Sequence, residues 1–166
     1  MGQITIGLDF GTHQSKICVE TINGPEIKYD FFKFTDGNGD EHYTLPSIIY
    51  VDKKERLSYG FKINSNPTSK KKNRFISALN ELEGIVAKYP KTSKKDNDIQ
   101  YIIRYFKQAT FTAVKHGMEY EDAVLYSIWY LSYIIFELQE RYGIDFAVQM
   151  GVPTDGERYN RQKKLA

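Results

Sequence analysis

A short stretch near the amino terminus carries the residue types most suited to chemistry. Residues 9–14, with the sequence DFGTHQ, lie between two β-prone runs. Gly11 allows the backbone to come close to a ligand, and Thr12 supplies a hydroxyl. Consecutive backbone N–H groups in such a turn form a concavity that binds anions. The stretch is therefore a candidate phosphate-binding turn.

Asp9 places a carboxylate beside this candidate anion site. A carboxylate repels a phosphate unless a cation lies between them. Mg²⁺ keeps several of its waters and is bound by oxygen ligands. The sequence therefore predicts that Asp9 holds Mg²⁺ through water. The residues alone leave a second interpretation open, a solvated hairpin turn whose Asp and Thr satisfy local backbone groups.

The elements around the turn are predicted to be strands. Residues 3–9 and 15–22 form a hairpin, and 26–34 adds a third antiparallel strand after the turn signal at 23–25. Cys18, the single cysteine, is expected to be a small core residue, and it excludes a disulfide framework. The acidic, glycine-spaced loop 35–40 is interpreted as a plain turn and not as a calcium site.

Further along, apolar spacing and turn residues predict strands at 45–51, 57–60 and 144–152, and helices at 73–89, 99–115 and 119–142. A long helix followed by a strand implies a right-handed crossover, which returns the last strand parallel to 3–9. Ligands of open α/β sheets bind at such strand ends. The predicted organisation is a core of 1–39 and 116–166, with an inserted subdomain over 40–115.

Composition limits the possible functions. The 166 residues have a net charge of +2, so no strong overall field favours nucleic acid or a membrane as a partner. The length suits one domain, or one lobe of a larger one, and the hydrophobic content of 41% is ordinary for a globular protein. Because the chain opens without a secretory leader and has no apolar run long enough to span a bilayer, a cytoplasmic location is expected.

Three stretches, in this order, resemble a known ATPase superfamily. Residues 6–15 resemble the first phosphate motif of the actin, sugar-kinase and Hsp70 superfamily. Residues 45–51, followed by 55–60, are similar to the segment that Hsp70 chaperones carry next. Residues 148–153, followed by Arg158, Arg161 and Gln162, are similar to the strand and helix that end the first half of the Hsp70 nucleotide-binding domain.

The resemblance implies an α/β fold, namely an actin-like ATPase (ribonuclease H-like) lobe with a mixed β-sheet, a crossover helix and an inserted α+β subdomain. It implies that ATP or ADP and Mg²⁺ are cofactors, with Asp9 on the metal and Thr12 close to the γ-phosphate. It also implies a catalytic lysine near the start of the helical part of the insertion, where Lys72 is the nearest candidate. The backbone around the β- and γ-phosphates would be that of Gly11, Thr12, His13 and Gln14.

The resemblance further implies a site shared between two lobes. The chain stops inside a predicted helix, so we expect a truncated first lobe that carries half of the site and is inactive alone. In the longer protein, ATP hydrolysis would drive a chaperone-type conformational change. The implied partners are nucleotide, the second lobe, and client proteins or co-chaperones.

Departures from the family pattern keep other interpretations open. His13 replaces a usual hydroxyl residue, and Gln14 replaces a usual aromatic. One alternative is a filament-forming actin homologue of the bacterial cell-shape type, although these have a smaller insertion. Another is a sugar or acetate kinase. A third is a degenerate member that binds a partner without hydrolysis.

Overall fold

A computed structural model describes residues 2–53, 57–61, 99–110 and 118–151. The strands in this part are β1 Gln3–Asp9, β2 Gln14–Asn23, β3 Glu26–Phe31, β4 Phe34–Thr35, β5 Glu41–His42, β6 Leu45–Pro46, β7 Ile48–Asp52, β8 Leu57–Tyr59, β9 Ile99–Arg104 and β10 Ala147–Met150. The helices are α1 Phe106–Ala109 and α2 Tyr120–Tyr142. Neither helix is long and apolar enough to cross a membrane.

The main sheet is mixed, with the strand order β10-β1-β2-β3 and with β6 paired to β2. The meander β1–β2–β3 is antiparallel, whereas β10 runs parallel to β1 with Met150 opposite Leu8. The predicted hairpin, third strand and parallel return strand are therefore confirmed. The fold is α/β with a strand-rich mixed sheet.

Buried and more exposed residues alternate over 6–8 of β1 and 15–19 of β2, which gives this sheet one buried face. Ile6 and Leu8 on β1, and Ile17 and Val19 on β2, are at most 4% exposed and belong to one core cluster with residues of α2. Their sequence neighbours point to the other face, as the period of two requires. Cys18 lies on that other face and is half-buried, so the prediction of a core position for it is wrong.

The long helix α2 matches the prediction closely. It begins after Glu119 and ends at Gly143, whose φ of 79° suits glycine and whose amide donates to the Gln139 carbonyl at 2.9 Å. Its buried side chains are mostly aromatic and aliphatic, so tertiary packing stabilises the helix. They are Ala123, Tyr126, Ser127, Trp129, Tyr130, Tyr133, Ile134 and Leu138.

The predicted helix over 99–115 is wrong in its first half. Ile99–Arg104 is the strand β9, which pairs antiparallel with β7 in a second sheet of order β8-β7-β9. Only Phe106–Ala109 is helical in the described part of this segment. Short apolar runs fit both the helical and the strand period, and the β-branched isoleucines here favour a strand once β7 offers a partner.

Two of the predicted strands, 26–34 and 45–51, are each broken into two shorter strands in the structure. The strand predicted over 26–34 ends at Phe31, and the chain resumes as β4, which pairs with β5. Phe32 and Phe34 both reach the core, with ring centroids 4.9 Å apart. The strand predicted over 45–51 is split at Ser47, whose polar groups bind the β1–β2 turn instead.

Three further predictions concern the loop 35–40, the helix 73–89 with Lys72, and the inserted subdomain. The interpretation of 35–40 as a plain turn fits the structure, because the Asp36 carboxylate accepts from the amides of Asn38 and Asp40. Helix 73–89 and Lys72 lie outside the described residues. The boundaries of the inserted subdomain at 40 and 115 stay predictions.

Candidate functional site

The β1–β2 turn is tighter than the sequence alone requires. Gln14 is already the first residue of β2, so residues 10–13 make the connection. A Cβ atom on Gly11 would overlap the carbonyl oxygen of Gln14, which is backbone and cannot swing aside. Gly11 is therefore the residue that lets the turn close this tightly.

Ser47 holds the turn from the opposite side. Its hydroxyl donates to the Gly11 carbonyl at 2.7 Å, and its amide donates to the His13 carbonyl at 2.8 Å. Ser47 is buried at 2% exposure, so water competes little for these bonds. Both carbonyl groups are thus fixed toward the protein.

The backbone N–H groups of the same turn are left available. Within the described part of the chain, the amides of Gly11, Thr12 and His13 donate no hydrogen bond to another group. Gly11 and Thr12 are half-buried and His13 is exposed. A run of such donors is an anion-binding arrangement. Within the described residues the turn therefore does not satisfy its own amides, and phosphate binding there stays a prediction.

A cluster of buried aromatic rings packs against the core side of the turn. Phe10 is fully buried, with its ring centroid 6.4 Å from that of Phe106 and 5.9 Å from that of Tyr130. The Tyr130 hydroxyl donates to the Leu45 carbonyl at 2.9 Å, two residues before Ser47. Burial raises the pKa of Tyr130 well above its ordinary value. Helix α2, helix α1 and β6 therefore meet under the turn.

Lys107, on α1, is a site residue that sequence reasoning missed. Its ammonium lies 5.0 Å from the centre of the Phe10 ring and interacts electrostatically with Asp9. Burial lowers the pKa of Lys107, and the Asp9 carboxylate partly opposes that shift. The structure thus brings a half-buried cation to the end of β1. The prediction of a helix over 99–115 hid this position, because it gave no reason to place Lys107 beside the turn.

Tyr105 connects the second sheet to the turn. It has a left-handed backbone with φ of 61°, which is uncommon for a residue with a Cβ atom. Its ring packs edge-on against His13, with the centroids 5.8 Å apart. Such backbone conformations concentrate at functional sites. His13 is an exposed histidine whose ring lies against that of Tyr105.

The remaining predicted site residues are positioned as follows. Asp9 is exposed at the end of β1, directly opposite Lys16 in the β1–β2 register. Gln14 is exposed and pairs with Pro46. Among the described residues, no group of three or more His, Cys, Asp and Glu side chains could hold a metal ion. The prediction that Asp9 holds Mg²⁺ through water stays a prediction.

The carboxyl end of β10 lies next to the carboxyl end of β1, because the Gly151 amide donates to the Leu8 carbonyl at 3.2 Å. The turn therefore sits where open α/β sheets bind ligands. No protein-family model and no curated protein matches the chain. What the site can do chemically follows from its parts, which are amide donors for an anion, a carboxylate for a hydrated cation, and a nearby lysine.

Proposed function

We propose that the chain is the first lobe of an Hsp70-like ATPase, which binds the phosphates of ATP or ADP with Mg²⁺. The observation that carries the proposal is the β1–β2 turn, in which three consecutive amides have no acceptor among the described residues and the carbonyls of Gly11 and His13 are held by Ser47. A turn that served only as a connection would not need buried donors on its carbonyl side.

The backbone of this chain would do most of the binding. The amides of Gly11, Thr12 and His13 would donate to phosphate oxygens, with that of Gln14 at the edge of the group. Fixed donors of this kind stabilise charge without having to reorganise, which is the main source of catalysis in phosphoryl transfer. Asp9 would hold Mg²⁺ through water, and the ion, when bound, would neutralise charge on the phosphates.

We assign the positive side chain of the site to Lys107. Desolvation makes its ammonium a stronger partner for an anion than an exposed lysine would be, and the Asp9 carboxylate favours its charged form. Lys72, the candidate from the resemblance, lies outside the described residues and has no geometric support.

The second half of the site would come from another lobe, and closure of that lobe would drive the chaperone-type conformational change. The partners that follow from this proposal are nucleotide, the second lobe, and client proteins or co-chaperones. A filament-forming ATPase would use the same turn, but no contact in the described residues favours it.

The test is calorimetric titration of Mg·ATP into the 166-residue chain and, in parallel, into the longer two-lobe protein that the proposal requires. We expect tight binding only in the longer protein. Lys107→Met should weaken that binding, whereas Lys53→Met, a change at an exposed turn residue, should not. Tight binding to the chain alone, or no binding to either, would contradict the split site.

Asp9→Asn separates the metal from the phosphate contacts. Because the amide cannot replace the carboxylate as a partner for hydrated Mg²⁺, we expect the Mg²⁺ dependence of nucleotide binding to fall while binding of metal-free ATP persists. An unchanged Mg²⁺ dependence would remove Asp9 from the site.

A further inference from the structure

The outer edge of β3 is an apolar strand edge with nothing paired to it in the described part of the chain. β3 pairs with β2 on one side and ends the strand order on the other. All six of its residues are exposed, and Ile27, Tyr29 and Phe31 are 54%, 67% and 57% exposed. Proteins usually protect such edges, because they present free backbone groups and invite pairing with another strand.

The direction of the free backbone groups follows from the β2–β3 register. The Phe32 amide donates to the Ile17 carbonyl at 3.0 Å, so even-numbered residues of this segment turn their backbone groups toward β2. Ile27, Tyr29 and Phe31 therefore turn theirs outward. The Phe31 amide donates at 2.7 Å to the carboxylate of Asp30, which caps this edge locally.

We propose that β3 pairs antiparallel with β3 of a second copy of the chain, about a two-fold axis at Tyr29. In this register Ile27 lies opposite Phe31 and Tyr29 lies opposite Tyr29, so every outward N–H and C=O group meets a partner. On the other face Lys28 lies opposite Asp30, twice by symmetry. Asp30 then exchanges its contact with the Phe31 amide for one with the partner's Lys28.

Charge selects this register over its neighbours. An axis at Lys28 would place Lys28 opposite Lys28 and Glu26 opposite Asp30, and an axis at Asp30 would place two aspartates face to face. Like charges directly opposite destabilise a strand pair, whereas opposite charges stabilise it. The strand is thus complementary in charge in the one register that pairs Ile27, Tyr29 and Phe31 all with one another. This favours a second copy over an unrelated peptide, and it uses no residue of the phosphate-binding turn.

The first experiment is a charge exchange, read by sedimentation velocity over a concentration series. The wild-type chain is expected to dimerise. Lys28→Asp and Asp30→Lys should each shift dissociation to at least tenfold higher concentration, because each puts like charges opposite. The double variant Lys28→Asp/Asp30→Lys should recover the dimer. A monomeric wild type, or a double variant as weak as the single ones, would overturn the pairing.

The second experiment tests the axis by disulfide cross-linking in a Cys18→Ser background, which removes the single native cysteine. Residues facing each other in a hydrogen-bonded pair have Cα atoms about 5.5 Å apart, within disulfide range. Tyr29→Cys should therefore cross-link to itself on mild oxidation. Ile27→Cys should not, because the two copies would be about 13 Å apart along the strands. Equal cross-linking of both variants, or of neither, would contradict an axis at Tyr29.

Discussion

The two hairpin turns of the β1–β2–β3 meander are built in different ways. The second turn, Gly24-Pro25, uses a glycine with φ of 59°, and a Cβ atom there would meet nothing within 4 Å. A positive φ at the first of two central residues is characteristic of a type II′ hairpin turn. The first turn has no such open space, since a Cβ on Gly11 would overlap the Gln14 carbonyl.

The difference lies in what surrounds each turn. Gly24-Pro25 is shaped by its own backbone preferences. The first turn is shaped by three other parts of the chain, through Ser47, Tyr130 and Tyr105. Holding carbonyls inward while leaving amides outward gives a connection no advantage, but it pre-organises an anion site. The comparison therefore distinguishes a turn shaped by its own backbone preferences from one held by contacts with distant parts of the chain, as the proposed phosphate site requires.

The largest expected effect comes from removing the anchor of the first turn. Phe10→Ala deletes a fully buried ring that packs against two other aromatic residues, so we expect a loss of about 3–5 kcal/mol in unfolding free energy. Glu26→Ala, beside the second turn, removes an exposed side chain with a surface ion pair to Lys28 and should cost less than about 0.5 kcal/mol. Denaturant unfolding measures both losses. Equal losses would mean that the first turn depends on tertiary packing no more than the second does.

Substitution of the two glycines should give a smaller contrast of the same sign. Gly11→Ala forces the backbone apart and should cost about 1–3 kcal/mol. Gly24→Asn should cost less than about 1 kcal/mol, because Asn adopts positive φ readily and the site has room for it. If thermal unfolding shows that Gly24→Asn is the more damaging change, close packing around Gly11 does not constrain the first turn.

The smallest effect concerns Tyr130 and depends on pH. Tyr130→Phe removes the hydrogen bond to Leu45 and should cost about 0.5–1.5 kcal/mol at neutral pH. Burial raises the pKa of Tyr130, so above the ordinary tyrosine pKa of 10.0 the folded chain retains a proton that the unfolded chain releases. Stability therefore falls as pH rises through that value.

We expect the alkaline loss of stability to be shallower in Tyr130→Phe than in the wild type, measured by denaturant midpoints at a series of pH values from neutral upward. Tyr43→Phe is the control, since it removes a phenol from a side chain that is 57% exposed. An identical alkaline slope in the wild type and Tyr130→Phe would mean that Tyr130 does not titrate as a buried group.

Local patterns were sufficient to predict the meander, the long helix and the parallel return of β10. Alternating residues such as Ile6 and Leu8 encode a strand with one buried face, and Gly143 encodes a helix end. These features depend on neighbours in sequence, so they can be read from it. Asp9 and Gly11 could likewise be placed at a strand end and in a turn.

The contacts that complete the site could not be predicted this way. Ser47 lies 36 residues from the Gly11 carbonyl that it binds. Lys107 reaches Asp9 only because Ile99–Arg104 is a strand, a choice that its partner β7 decides. No local pattern carries this information, since tertiary contact overrides propensity in short apolar segments.

The most direct test is a ¹H–¹⁵N correlation spectrum of the chain during titration with Mg·ATP, which detects even the weak binding expected of half a site. We predict progressive shifts of the amide signals of Gly11, Thr12 and His13, with the Gly24 amide unmoved. Loss of these shifts in Ser47→Ala would support the role of the Ser47 hydrogen bonds in holding the turn. Unmoved signals at the first turn, with or without shifts elsewhere, would contradict phosphate binding there.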